Sequence, residues 1–209
     1  MLARPDTVAR HPPGSRAETV DARVGPNAII QVGAALRDAF GPQRHRDIFA
    51  AAALDRYVER VPEAMVPERQ AAALFAAVRR ELTEGEARQV FRVAGLRTAD
   101  YILAHRIPAV AQGVLKRLPD VVAARLLLSA IRGHAWTFAG SGAVSCSYGR
   151  MLSIAIAGNP LATPGCDWHV AVFEGLFRTL VSPGMQVRHV SCCANGASSC
   201  RSQITGPAA

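Results

Sequence analysis

Apolar residues recur at helical spacing through the first two-thirds of the chain and give way to short, alternating, glycine-separated runs after Gly133. Ile29, Ile30, Val32, Leu36 and Phe40 make the buried stripe of one helix, which stops at Gly41-Pro42, a helix-ending pair. The same periodicity predicts a second helix around 48–60 and a third over 67–82. Thr83 and Glu86 form a capping box, each side chain satisfying the other residue's backbone N–H, and open a helix whose buried positions are Ala87, Val90, Phe91 and Ala94. Gly95 reads as an interruption, Thr98 as the cap of a continuation through Tyr101, Ile102 and Leu103, and Pro108 as its end. Further helices are expected over 109–118 and 120–131. Beyond Gly133, the runs 135–138, 143–148 and 151–156 carry strand chemistry. Asp167 can cap a helix over 168–180, and strands 186–192 and 199–205 flank an Asn195-Gly196 turn. This order predicts an α+β fold with helices packed on a mostly antiparallel sheet.

The 209 residues suit one domain, and a chain that is 50% hydrophobic and 19% charged can bury a sizeable core. Residues 1–24 hold three prolines and many charges without apolar periodicity, and read as a disordered arm. Residues 25–206 then form the domain, with a helical part over 25–132 and a sheet part over 133–206. The net charge of +8 comes almost wholly from arginine, since Lys116 is the single lysine. The arginines are scattered and form no basic run, which argues against nucleic acid and suits carboxylates of acidic small molecules. No apolar run approaches the roughly 20 residues of a membrane span, and no secretion signal opens the chain, so a cytoplasmic protein with reduced thiols is expected.

Reduced, clustered cysteines point to metal or catalysis. The five are Cys146, Cys166, Cys192, Cys193 and Cys200. A hairpin brings Cys192 near Cys200, and the helix over 168–180 can return Cys166 to the same end of the sheet. Three thiolates with the imidazole of His189 are the ligand set of a closed structural zinc site, against the competing reading of small buried residues. Strand alternation puts His189 on the face of residue 193, so Cys192 serves as ligand only if the strand ends or bulges there. The choice between Cys192 and Cys193 stays open on sequence grounds.

The stretch from Cys166 through His189, Cys192 and Cys200 to Ile204 resembles the 4-vinyl-reductase domain, a small-molecule-binding module also found in phenol-sensing transcription regulators and archaeal proteins. That family's motif is a Cys before the last helix, an acidic residue, a Cys three on, and a Cys eight further. Cys166, Cys192 and Cys200 match, and His189 stands in the acidic position. The resemblance implies zinc at these positions, and His189 keeps a ligand-competent side chain while making the site less negative. Segments 25–31, 98–108 and 133–142 extend the resemblance over residues 25–206, to the branch of the family that serves bacteriochlorophyll biosynthesis in purple phototrophic bacteria. It implies a role at the divinyl tetrapyrrole stage of that pathway, and we read the chain as a protein that binds a divinyl magnesium tetrapyrrole, a porphyrin or chlorin, and presents it to pathway enzymes. A vinyl reductase acting on divinyl protochlorophyllide is the alternative, and a pigment-sensing regulatory domain the second. The fold it implies is shared with a vesicle-tethering-complex subunit family and is often dimeric. A homodimer, peripheral to the photosynthetic membrane, is the corresponding expectation.

A reductase should carry a mark of its electron source. Gly140-Ser141-Gly142 lacks the third glycine and the strand-turn-helix setting of a dinucleotide site, and an iron–sulfur cluster needs four cysteines that zinc uses better. Presentation of the pigment is therefore favoured over its reduction. A tetrapyrrole needs a flat apolar slot with a few placed polar groups. Trp136, Phe138, Tyr148, Met151 and Phe173 are candidates for the slot, Arg132 and Arg150 for a carboxylate, and His134 or His105 for magnesium. Each competes with an ordinary packing role, and His169 reads as a packed or surface residue.

Overall fold

The computed structural model describes residues 22–149 and 151–206. The elements are β1 (Arg23–Val24), α1 (Asn27–Ala51), α2 (Arg56–Glu59), β2 (Val66–Pro67), α3 (Glu68–Glu81), α4 (Glu84–His105), α5 (Ala109–Leu115), α6 (Asp120–Gly133), α7 (Trp136–Ala139), β3 (Ala143–Tyr148), β4 (Leu152–Ala157), α8 (Asp167–Leu180), β5 (Gln186–Ser191) and β6 (Ser199–Thr205). The fold is α+β, with an antiparallel four-stranded sheet in the order β3-β4-β6-β5 and a small β1-β2 ladder. Most of the arm predicted over 1–24 lies outside the described residues, but its end is ordered: Arg23 and Val24 pair with Pro67 and Val66, and Val24 is fully buried.

Helix α8 is the centre of the molecule. It is apolar on nearly every side because α4 packs along one flank and the sheet covers the other. Close approach to α4 depends on small residues. A Cβ at Gly95 would meet the Trp168 carbonyl oxygen at 2.5 Å and the Ala171 Cβ at 2.7 Å, and one at Gly175 would meet the Ala99 Cβ at 2.7 Å. Gly95 therefore makes room for a crossing, and α4 runs through it unbroken, contrary to the expected interruption. Thr98 does not cap a new helix; its hydroxyl donates to the Ala94 carbonyl at 2.8 Å within the same one. Phe75, Phe91 and Trp168 fill the space beside the crossing, with ring centroids 4.7 Å and 5.8 Å apart. Buried Glu174 on α8 accepts from Arg92 of α4 at 3.0 Å and pairs with Arg178 at 3.1 Å, so its charge is balanced from two sides.

The capping box forms as expected, Glu86 accepting the Thr83 N–H at 2.9 Å. At Gly41, with φ 79°, the backbone leaves helical geometry and resumes at Pro42, so the expected stop is a break inside α1. The run 135–138, expected as a strand, instead closes the helical turn of α7: the Thr137 hydroxyl donates to the His134 carbonyl at 2.8 Å, and Phe138 turns onto Phe173. Gly140-Ser141-Gly142 proves to be a structural latch. The Ser141 N–H and hydroxyl donate to the Glu68 carboxylate at 2.7 Å and 2.8 Å, and Gly140, at φ 55°, leaves room for that carboxylate.

Candidate functional site

The three cysteines meet where the loop before α8 crosses the end of the β5–β6 hairpin. Residues 165–167 turn sharply: Gly165 has φ 84° and Cys166 φ 46°, a left-handed conformation uncommon outside glycine. Asp167, expected as the cap of α8, is held elsewhere. Arg79 of α3 donates to its carboxylate at 2.7 Å and to the Pro164 carbonyl at 2.6 Å, a clamp fixing the loop that carries Cys166. Arg79 could be foreseen only from tertiary structure, since no motif links α3 to this loop.

A bulge in β5 decides between Cys192 and Cys193. His189 pairs with Ser202, and regular pairing would bring Ser191 opposite Cys200. The register instead shifts between His189 and Ser191, so that Ser191 faces Arg201 and the next residue, Cys192, arrives beside Cys200 as the strand ends. The Cys192 sulfur lies 3.4 Å from that of Cys166 and 3.9 Å from that of Cys200, and all three are within 4.8 Å of one another. Cys193 opens a short 3₁₀ turn. Its N–H donates to the Cys200 sulfur at 3.3 Å, and its own thiol faces the Ile156 carbonyl.

These separations suit a metal. Two thiolates at about 2.3 Å from a tetrahedral centre stand roughly 3.8 Å apart. All three cysteines are buried, so their thiols interact through a medium poorer than water. Hydrogen bonding from the Cys166 thiol draws Cys200 down to about 4 against the opposing effect of burial, with the Cys193 N–H adding to it. Cys166 moves the opposite way because its proton is held by Cys200 and its charged form is desolvated. Burial raises Cys192, whose thiol donates to the Thr163 carbonyl at 3.1 Å. Thr163 and buried Asn159, whose side chain accepts from the Leu161 N–H at 3.0 Å, shape the loop; neither was singled out from the sequence.

His189, the fourth expected ligand, lies outside the group of three. It sits on the same sheet face as Cys200, because its partner Ser202 is two residues along β6, and both its ring nitrogens are enclosed without a hydrogen-bond partner. Facing it from α8 is His169, which burial lowers to about 4 and whose Nε2 lies 3.2 Å from the Phe138 carbonyl. His169 is thus a packed core residue.

The residues expected to bind a pigment are spread over several environments. His134 is exposed, its Nδ1 lying 2.9 Å from the Ala130 carbonyl, and Trp136 is 58% exposed. Phe138 stacks edge-on against buried Phe173 at 5.5 Å, and Tyr148 packs half-buried against the core. Arg150 lies outside the described residues. Met151 and Arg132 are exposed, and His105 stacks on Tyr101 at 4.7 Å. A cavity of about 540 Å³ opens elsewhere, over β2 and α2. Its lining combines Arg23, Arg56 and Arg60 with Tyr57, Met65 and Val66, and Glu63 is its one acidic residue. Arg23 is fixed by two bonds to the Met65 carbonyl, and the Arg56 guanidinium lies 4.7 Å over the Tyr57 ring.

A helical layer on an antiparallel sheet, with three cysteines gathered at its edge, defines the class. The V4R domain matches residues 153–205, the span that holds all three. The chain is 47% identical over 189 residues to the bacteriochlorophyll synthase 23 kDa chain of Cereibacter sphaeroides, covering 87% of this chain and 90% of that one. It is 40% identical over 184 residues to the bacteriochlorophyll synthase 23 kDa chain of Rhodobacter capsulatus, covering 85% and 84%. An H-NOX protein from S. oneidensis, solved in the Fe(II)NO ligation state, shares the fold with a TM-score of 0.54 at 10% identity, over 88% of this chain and 100% of that one. The chain belongs to the family of the bacteriochlorophyll synthase 23 kDa chains, which ties it to bacteriochlorophyll biosynthesis.

Proposed function

We propose that the chain binds a divinyl magnesium tetrapyrrole of the bacteriochlorophyll pathway and presents it to pathway enzymes, with zinc as a structural ion. The observation that carries the pigment reading is the 47% identity to a bacteriochlorophyll synthase chain along nearly its whole length. A cavity supports the reading. The cavity of about 540 Å³ falls in the range of small-molecule sites, and a lining that mixes three arginines with Tyr57 and buried Pro62 and Val66 suits a molecule bearing a carboxylate. Arg56 and Arg60, one turn apart on and just beyond α2, are the cations for that carboxylate. A second seat, the exposed His134–Trp136 corner with half-buried Phe138 next to it in sequence, is favoured by the exposure of the Trp136 ring.

Titrating the purified chain with a divinyl magnesium tetrapyrrole separates the seats. The double substitution Arg56→Ala/Arg60→Ala is expected to weaken binding about tenfold or more, as loss of a charge-assisted contact does. An effect confined to Trp136→Ala moves the seat to the corner.

Cys166, Cys192 and Cys200 would hold the zinc, and His189, with its enclosed and unpartnered nitrogens, is the fourth donor. The ion supplies folding stability by cross-linking the loop before α8 to the hairpin. Elemental analysis should find one zinc per chain and none in Cys200→Ser. In the cobalt-substituted protein, His189→Ala should shift the visible bands. A metal-free native protein overturns the zinc reading, and an unchanged cobalt spectrum removes His189 from it.

A further inference from the structure

We propose that the outer face of α5 and α6 docks on the anionic surface of a lipid bilayer. Helix α6 buries Ala123, Ala124, Leu127, Leu128 and Ile131, so its contribution to the core is complete. Its solvent side mixes aliphatic with polar residues, Val122 and Leu126 lying among Arg125 and Ser129. Val121 is 64% exposed, Val122 44% and Leu126 50%; on α5, which buries nothing, Val110 is 80% exposed and Val114 53%. Five exposed aliphatic side chains on two helices that follow and touch one another are more than the single exposures a surface normally carries.

The charges around this face select its partner. Between residues 106 and 132 the basic residues are Arg106, Lys116, Arg117, Arg125 and Arg132, and Asp120 is the one acidic residue. All five cations are exposed, and none forms an ion pair among the described residues. Elsewhere Arg79, Arg88, Arg92, Arg97 and Arg178 are matched by carboxylates. A two-fold contact between two copies would set one cluster of unmatched cations against the other, because such an interface uses the same patch twice. Anionic headgroups meet the cations directly while the valines and Leu126 enter the boundary with the acyl chains. No helix among the described residues is long and apolar enough to cross a membrane, so contact is along the surface.

The inference is independent of the pigment reading, and its test leaves Arg56, Arg60 and Trp136 untouched. The full chain would be floated with phosphatidylcholine vesicles with and without phosphatidylglycerol, alongside Val122→Asp/Leu126→Asp and Arg117→Glu/Arg125→Glu. Circular dichroism and unfolding curves check that each variant folds. The expected result is co-flotation with the anionic vesicles only, weakened about tenfold or more by high salt and by either double substitution. A chain that stays out of anionic vesicles overturns the proposal, and so does equal binding by the folded variants. Dimerisation abolished by Val122→Asp/Leu126→Asp, without vesicle binding, would assign the face to a second copy and equally overturn it.

Discussion

Replacing Gly95 by alanine should destabilise the protein, although the residue lies inside a 22-residue helix where alanine is ordinarily preferred. Helix propensity alone favours the substitution by about 1 kcal/mol. The added methyl, however, would stand 2.5 Å from the Trp168 carbonyl oxygen, 2.7 Å from the Ala171 Cβ and 3.2 Å from the Val172 nitrogen. None of these atoms can rotate away, so α4 and α8 must separate by roughly 1 Å to regain ordinary contact. Overpacking of a tight interface costs about 1–3 kcal/mol, more than the propensity gain in most of that range. A net loss of up to about 2 kcal/mol should lower Tm by up to about 8 °C for a chain of this size. Gly85→Ala is the control, because a Cβ there meets nothing within 4 Å; it should be neutral or slightly stabilising. Since α8 begins directly after Cys166, the same displacement should make a bound metal easier to strip with a chelator. Urea and thermal unfolding, followed by a chelator competition, measure both effects. A Gly95→Ala protein as stable as the parent would show that the crossing has slack and refute the reasoning.

Arg79→Ala should cost about 2–3 kcal/mol in urea unfolding, because it leaves the Asp167 carboxylate, whose side chain is 13% exposed, with only the longer contact to Arg88 at 3.9 Å and unties the loop before α8. Thr83→Ala removes half of the capping box and should cost about 1 kcal/mol by the same assay. Acid should weaken the fold through two buried histidines. Burial, with Arg37 and Arg46 nearby, lowers His45 from its ordinary 6.5, and burial lowers His169 to about 4. Above pH 6.5 neither state binds these protons; as pH falls below 6.5 the unfolded chain takes them up first, so stability drops. For His169 the loss is complete near pH 4 and amounts to about 3 kcal/mol. Unfolding free energies measured from pH 7.5 to 4 check this, and His169→Phe should flatten the slope.

Local rules gave the parts of the fold that local chemistry governs. The capping box at Thr83, helix α8 and the β5–β6 hairpin stand where the pattern put them. The departures arise where tertiary contacts override local preference. Gly95 looks like a helix breaker in sequence, but its role is the space it leaves for the backbone of α8 at Trp168, far along the chain. Asp167 has the side chain of a cap, yet Arg79 claims it. The aromatic run 135–138 is too short for periodicity to decide, and the fit of Phe138 onto Phe173 closes it as a helical turn. At the site, the identity of the cysteines was legible, but the choice of Cys192 required the register shift at 189–191. The cavity over β2 left no sequence signal, because Arg23 and Arg56 come together only through the pairing of β1 with β2.

Whether the pigment is bound and presented without being reduced can be read from one spectrum. Purified protein is mixed with a divinyl magnesium tetrapyrrole and a reduced nicotinamide, and pigment absorption is followed to saturation. The expected result is a shift that saturates at one pigment per chain while extraction returns the divinyl compound intact. No shift, or recovery of the reduced monovinyl product, would contradict it.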